Sequence, residues 1–179
     1  LSVLALSSYL RADNFAGLYE QAVTVAQPFD GWITVGSGAL QQLVNTRLPY
    51  GAPLPEMSAP KFSRRTFDSG RPAFSGLFYA GVAKAPTVAV SYPVLRDGKV
   101  LYDLRISFLP DRLTRLLSAQ DQPAGWALVL TDTAGQEIAR TGNADGDISR
   151  SLAAWLQRAE NSDDGLIEGT SAGGRQYVV

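Results

Sequence analysis

Three polar side chains alternate with apolar ones in the segment YDLRISF, residues 102–108: Asp103, Arg105 and Ser107. Successive side chains of a β-strand point to opposite faces, so a strand here would place all three on one face. A carboxylate, a guanidinium and a hydroxyl together have the chemistry of a small polar cavity. They equally suit an Asp–Arg ion pair at the rim of a sheet, and the residue types leave both interpretations open.

The strand that would carry these residues belongs to a predicted β-hairpin over residues 86–109. Asp97-Gly98 joins two runs rich in β-branched and aromatic residues, and this dipeptide favours a two-residue turn because both turn positions take positive φ. Counting outward from that turn predicts four facing pairs: Val94 with Leu101, Tyr92 with Asp103, Val90 with Arg105, and Val88 with Ser107. The register places Tyr92 on the polar face. The opposite face, with Leu104 and Ile106, suits a covering helix.

Two further segments are expected to close a pocket over the polar face: a helix at residues 59–69 and a loop at Phe78-Tyr79. The predicted ligand-binding residues are Tyr92, Asp103, Arg105, Ser107, Phe78 and Tyr79. A buried arginine is costly unless it is paired. Arg105 therefore either forms a structural pair with Asp103 or binds an anionic ligand, for which an organic acid is the favoured class.

The composition excludes several classes of chemistry. The 179 residues contain no cysteine and no histidine, which removes disulfides, thiol nucleophiles, Ser-His-Asp triads and most zinc sites. Sixteen basic residues are balanced by 17 acidic ones without a basic run, so nucleic acid is not an expected partner. Hydrophobic residues make up 45% of the chain, enough for a real core, and no apolar run approaches the about 20 residues that span a bilayer. Because the chain begins at Leu1 rather than Met, within a predicted helix, we expect a fragment of a longer protein.

The remaining elements follow from periodicity and from turn residues. Residues 1–27 have apolar positions near helical spacing, with a kink or break possible at Asp13-Asn14. Strands are expected at 31–35, 41–46 and 73–79, and a short helix after Pro110. A second unit is expected to begin at Gly125, because its opening repeats that of the first. Its candidates are a helix at 148–159 and strands at 165–170 and 176–179. By analogy with the first unit, the last strand corresponds to the strand that begins at Pro86, and the hairpin partner that would follow it is missing.

The order of these elements, together with particular segments, resembles a known family. The segments are Leu43-Val44-Asn45-Thr46, the loop 49–55, residues 67–72, residues 75–78, and Tyr92-Pro93-Val94 with Asp97-Gly98 and Tyr102. They resemble the extracytoplasmic Cache-type sensor domains, in particular the double Cache, PAS-like periplasmic sensors of bacterial transmembrane histidine kinases.

The resemblance implies an α+β fold with a long N-terminal helix (1–30), a membrane-distal PAS-like lobe (31–119) and a truncated membrane-proximal lobe (120–179), each with an antiparallel sheet. It also implies a periplasmic input domain that binds a small molecule without catalysis or cofactor. Such a domain would form a homodimer through the N-terminal helix and reach the membrane only through flanking segments. A histidine kinase is the expected output, with a diguanylate cyclase or a chemoreceptor as the alternatives.

The chain departs from the amino-acid-binding members of that family in two places. Ser107 stands where they carry an aspartate for the ligand amine, and Phe78-Tyr79-Ala80-Gly81 does not match their Arg-x-Trp-Tyr-like signature. The resemblance therefore does not imply a standard amino-acid ligand. Two hypotheses of other classes remain open: an enzyme using carboxylates such as Asp103 or Asp132 between the lobes, and a ligand-free module that contacts another protein.

Overall fold

The computed structural model describes residues 1–123, 126–142, 168–170 and 176–178. The chain divides into two compact units, Leu1–Leu113 and Thr114–Val179. Helices and antiparallel strands build both units, as expected for an α+β fold. None of the helices in the described ranges is both long enough and apolar enough to cross a membrane.

The first unit contains an antiparallel six-stranded sheet. Its strands are β1 (Trp32–Ser37), β2 (Gln42–Asn45), β3 (Ala73–Phe74), β4 (Phe78–Ala80), β5 (Ala85–Arg96) and β6 (Lys99–Phe108). They run in the order β2-β1-β6-β5-β3, and β4 pairs with the other end of β5. The predicted strand 73–79 is therefore divided into β3 and β4, with residues 75–77 between them.

The central hairpin, β5 and β6, has the predicted turn and a different register. Asp97 and Gly98 both have positive φ, 52° and 75°, and Arg96 pairs with Lys99 across them. A bulge then adds one residue, Leu101, to β6. The observed facing pairs are Val94 with Tyr102, Tyr92 with Leu104, Ser91 with Arg105, and Ala89 with Ser107. The predicted pairs are therefore wrong by one residue. Relative to β6, each β5 side chain beyond the bulge lies on the face opposite to the predicted one.

The corrected register gives the sheet one apolar face. Ile33, Val35, Leu104 and Ile106 lie on it and are almost completely buried, together with Val94 from β5. The helices before the sheet cover this face through the buried side chains of Leu4, Leu10, Leu18, Ala22 and Ala26. A helical cover on the Leu104 side was predicted from the sequence and is confirmed.

The N-terminal segment consists of three helices rather than one long helix: α1 (Ser2–Ala5), α2 (Ser8–Arg11) and α3 (Phe15–Ala26). Ser7 accepts a hydrogen bond from the backbone N–H of Tyr9, and Asn14 accepts one from that of Gly17. Each polar side chain thereby begins a new helix. Asp13, at φ 53°, interrupts the chain between α2 and α3, which confirms the predicted break at Asp13-Asn14.

On the opposite face of the sheet lies α4 (Pro60–Ser69), as predicted for residues 59–69. Pro60 occupies its first turn, where a missing N–H is tolerated, and Gly70 ends it in the left-handed conformation at φ 61°. Phe62, Ser63 and Thr66 are the buried residues of this helix. The helix therefore presents two hydroxyls and one aromatic ring to the protein interior.

Beyond β6 lies α5 (Pro110–Ser118), and the second unit contains two strand pairs among its described residues. Strand β7 (Val129–Thr131) pairs with β8 (Glu137–Arg140), and β9 (Glu168–Thr170) pairs with β10 (Gln176–Val178). The predicted helix 148–159 lies outside the described residues.

Hairpin β7-β8 repeats the internal bonding of hairpin β1-β2. In the first, the N–H of Ile33 donates to Thr46 Oγ1 and the N–H of Thr46 donates back to the carbonyl of Ile33, each at 2.9 Å. Leu128 and Thr141 make the same two bonds at 3.0 and 2.9 Å. The turn bonds correspond as well: Ser37 with Leu40 and Gln41 in the first hairpin, Asp132 with Gly135 and Gln136 in the second. The repeated opening read from the sequence is thus a repeated structure.

The apolar layer predicts a large difference between two leucines of the central hairpin. Leu104 is fully buried, whereas Leu95 is 54% exposed. Leu104→Ala should lower the free energy of unfolding by about 2–5 kcal/mol because it leaves a cavity between the sheet and the helices. The matched Leu95→Ala should stay within about 0.5 kcal/mol of the parent. Urea denaturation measures both, and equal losses would contradict the assigned faces.

A second prediction concerns acid stability. Asp13 accepts hydrogen bonds from Arg96 (3.1 Å) and from the Tyr102 hydroxyl (2.8 Å). The bond from Arg96, followed by that from Tyr102, lowers the pKa of Asp13 in the folded state. Stability from this carboxylate is therefore present above its unfolded pKa, about 3.9, and is lost as the pH falls through the lower folded value.

The measurement is the melting temperature between pH 5 and pH 2. Asp13→Asn should flatten its decline in acid, whereas Asp68→Asn, at an exposed position on α4, should leave the decline unchanged. An Asp13→Asn protein with the parent's acid profile would disprove the assignment.

Candidate functional site

The face of the sheet beneath α4 is polar and buried. Asp103 and Arg105 on β6 are 0% and 3% exposed, and the hydroxyl side chains around them are equally enclosed: Ser63, Thr66, Thr87, Ser91 and Ser107. Buried polar groups destabilise a protein unless they find hydrogen-bond partners. The partners of each group therefore decide what this face can do.

A single chain of hydrogen bonds links α4, β5 and β6. Arg105 donates through one terminal nitrogen to Asp103 Oδ2 at 2.5 Å and to Ser63 Oγ at 2.6 Å. The Ser91 hydroxyl donates to the other oxygen of Asp103. Because that uses its only proton, the Thr66 hydroxyl, 2.7 Å away, donates to Ser91. The network fixes α4 against the hairpin.

Burial lowers the pKa of the Arg105 guanidinium, and the adjacent Asp103 carboxylate opposes that change. An arginine pKa starts far above neutrality, so the group remains charged. Phe62 on α4 lies against it, with the guanidinium carbon 4.6 Å from the ring centre, a cation–π distance. The charge is thus balanced by one carboxylate and covered by one aromatic ring.

One donor of this cluster has no partner. Among the described residues, Arg105 Nε is the single buried side-chain nitrogen or oxygen without a hydrogen bond. A buried donor left without a partner costs about 1–3 kcal/mol, so an additional acceptor at this atom would stabilise the fold.

Arg105 also lines a small, partly open cavity. The cavity has a volume of about 20 Å³, which is room for about one water molecule. Its polar lining comes from three strands of the sheet and the segment before α4: Thr34, Gln42, Asn45, Ser58, Arg105 and Ser107. Phe78 and Trp32 are among its apolar walls. As it stands, the cavity cannot hold an organic ligand.

A larger groove lies next to it, between the start of α4 and the segment that joins β3 to β4. Its volume is about 330 Å³, and it is lined by residues 59–62 and 75–78. Phe78 borders both the groove and the cavity, and Phe62 joins the groove to the Arg105 guanidinium. Two aromatic rings thus separate the charged cluster from an open apolar surface.

The structure brings four of the six predicted site residues together. Asp103, Arg105 and Ser107 share the polar face, and Phe78 borders the cavity. Tyr79 is 63% exposed and lines neither space. Tyr92 faces Leu104 on the apolar side of the sheet, so its predicted place beside Asp103 is wrong for the same reason as the register.

The site residues predicted from the sequence do not include the partners that α4 and β5 supply: Ser63, Thr66 and Ser91. Ser63 and Thr66 stand three apart, a spacing that puts two side chains on the same side of a helix, next to the apolar Phe62. Two hydroxyl residues on the same side of a helix that also carries several basic residues were the signal in the sequence that could have identified these partners. Ser91 could not be found without the bulge, because the regular register turns it to the other face.

Comparison with known proteins establishes the type of fold. The sequence matches no protein-family model and no curated protein. Solved structures do match. The extracellular domain of rpHK1S-Z16, assigned as a histidine kinase, has a TM-score of 0.65 at 15% identity, over 89% of this chain and 68% of that one. The chain has the fold of the extracellular, Cache-like sensor domains.

Two chemoreceptor domains with this fold have been solved with amino acids bound. The ligand-binding domain of Campylobacter jejuni Tlp3, in complex with L-valine, has a TM-score of 0.56 at 12% identity and covers 98% of this chain and 70% of its own. That of Pseudomonas fluorescens CtaA, in complex with L-serine, has a TM-score of 0.51 at 12% identity and covers 99% of this chain and 84% of its own. The Cache-like fold is therefore shared across most of the chain at very low sequence identity.

The buried pair predicts a strong coupling between Asp103 and Arg105. Arg105→Gln alone leaves the Asp103 carboxylate buried without a counter-charge and should lower the free energy of unfolding by about 3–5 kcal/mol. The double variant Asp103→Asn/Arg105→Gln removes both charges and should lose markedly less than the two single variants together. A double-mutant cycle in urea measures the difference, and simple additivity would show that the pair does not act as a unit.

Proposed function

We propose that this chain is the ligand-sensing input domain of a transmembrane signalling receptor, placed outside the cytoplasm, and that its first unit binds a small anionic molecule at Arg105. The observation that carries the proposal is Arg105 itself, which lines a cavity and has a buried Nε without a hydrogen-bond partner among the described residues. The Cache-like fold supports the sensing role, since its solved examples include extracellular domains of kinases and ligand-binding domains of chemoreceptors.

The donors at the site favour an organic acid over a standard amino acid. Arginine recognises carboxylates through charge-assisted hydrogen bonds, and Arg105 keeps one donor that the protein itself does not use. Both carboxylate oxygens of Asp103 already accept hydrogen bonds, one from Arg105 and one from Ser91, and Ser107 carries a neutral hydroxyl. No carboxylate of this cluster is left to hold a ligand ammonium group.

A histidine kinase is the proposed output of the receptor, with a chemoreceptor or a diguanylate cyclase as alternatives. The similarity to the extracellular domain of rpHK1S-Z16, which is assigned as a histidine kinase, supports placing the kinase first. Binding rather than catalysis is proposed because neither candidate carboxylate is free for it. Asp103 is fully buried, and Asp132 accepts two backbone N–H bonds, each at 2.9 Å, in the β7-β8 turn.

Dimerisation through the N-terminal helices is also proposed. Leu10 and Leu18 are buried within the first unit and cannot reach a second chain. Val3, Leu6 and Tyr9 are 81%, 74% and 42% exposed and would supply the apolar contact.

The binding proposal is tested by thermal shift with acetate, butanoate, succinate and L-serine at matched ionic strength. At least one carboxylate should raise the melting temperature of the parent chain. At a ligand concentration of 100 times the dissociation constant, binding adds about 2.7 kcal/mol to the free energy of unfolding. The gain should be larger in Asp103→Asn, where Arg105 has lost its counter-charge. It should vanish in Asp103→Asn/Arg105→Gln.

The control is sodium chloride at the same ionic strength, with circular dichroism to confirm that each variant is folded. Equal stabilisation of the parent chain and of the double variant by a carboxylate would show that Arg105 does not anchor it. If none of the four compounds stabilises any folded variant, this chain does not bind carboxylates at Arg105.

A further inference from the structure

The groove beside the Arg105 cavity has the dimensions and the lining of a ligand site. Its about 330 Å³ falls within the usual range for small-molecule pockets. Phe62, Leu77, Phe78 and Pro60 make it largely apolar, and Lys61 is its only charged lining residue. A ligand that uses this groove must therefore have an apolar body.

Phe78 is the boundary between that groove and the charged cluster. It lines both spaces, and its side chain is only half-buried. It lies on β4, a three-residue strand that pairs with β5. Hydrogen bonds hold the backbone on either side of Phe78. The N–H of Ser75 donates to the carbonyl of Ala89 at 2.9 Å, and the N–H of Gly81 donates to Ser58 Oγ at 3.0 Å. The Phe78 ring is therefore the side chain that both spaces share.

The charge balance around Arg105 limits the ligand to a single hydrogen-bond-accepting group at the end that reaches this residue. Asp103 already neutralises Arg105, and Nε has a single N–H to offer. A ligand carboxylate at Nε therefore leaves the cluster with one excess negative charge, and a second carboxylate on the ligand would add another charge without a counter-charge, which is unfavourable. One carboxylate group at the end of an apolar chain meets both conditions.

We propose that the ligand is an amphipathic monocarboxylate: its carboxylate accepts from Arg105 Nε, and its hydrocarbon body occupies the groove between α4 and residues 75–78, with Phe78 turned aside. This inference rests on the proposed function and adds to it the chemical class of the ligand and the path by which it enters. Neither the small cavity nor the groove is sufficient alone, since the first is too small and the second holds no buried donor.

The test is isothermal titration of the parent chain with butanoate, hexanoate and octanoate at constant ionic strength. Each added methylene should tighten binding by roughly three- to fourfold while the groove fills. Hexanamide should bind much more weakly than hexanoate, and hexylamine should not bind.

Variants separate the two ends of the site. Leu77→Ser should remove the gain from chain length while butanoate binding is kept. Phe78→Ala should speed hexanoate association several-fold in stopped-flow measurements, and Tyr79→Ala, the neighbouring ring that lines neither space, should not change it. Asp103→Asn/Arg105→Gln should abolish binding of all three acids.

Several outcomes would overturn the inference, and they differ from a failure of the proposed function. If butanoate binds in an Arg105-dependent way and longer acids bind no better, the groove is not used, although the function stands. If Lys61→Gln abolishes hexanoate binding while Asp103→Asn/Arg105→Gln keeps it, the carboxylate sits at the rim and the inference is wrong. If no carboxylate binds at all, both proposals fail.

Discussion

The extra residue Leu101 in β6 determines what each face of the central hairpin contributes. Without this bulge, valines would lie beside Asp103 and Arg105, and Ser91 would point into the N-terminal helices. With it, Val94 joins Leu104 and Ile106 in the core, and Ser91 bonds to Asp103. A one-residue shift inverts all the side chains of a strand, so one local irregularity separates an apolar layer from a polar one.

The polar layer then depends on a buried ion pair that the protein only partly satisfies. Asp103 accepts from Arg105 and Ser91, while Arg105 keeps one donor unused at Nε. Replacing such a pair by apolar residues is often neutral or stabilising, so its presence is weak evidence for a role in stability. The unused donor of a residue that lines a cavity is the feature on which the proposed ligand site rests.

The two hairpins that open the units show how local structure can be retained while the surroundings change. Thr46 and Thr141 each bond twice to the strand residue opposite, and the turns that follow share their backbone bonds. These hydrogen bonds join residues 13 apart in the chain, so short segments suffice to specify them. The repeat was therefore visible in the sequence despite a one-residue gap.

The sequence by itself determined the elements whose causes are local. Asp97-Gly98 fixed the turn, Pro60 and Gly70 bounded α4, Asn14 began α3, and the two-residue period put Asp103 and Arg105 on one face. Only the tertiary structure decided the register, the place of Tyr92, and the partners of Arg105 from α4. Strand periodicity is a property of neighbouring residues, whereas register depends on which layer packs against each face, and that is settled by residues distant in the chain.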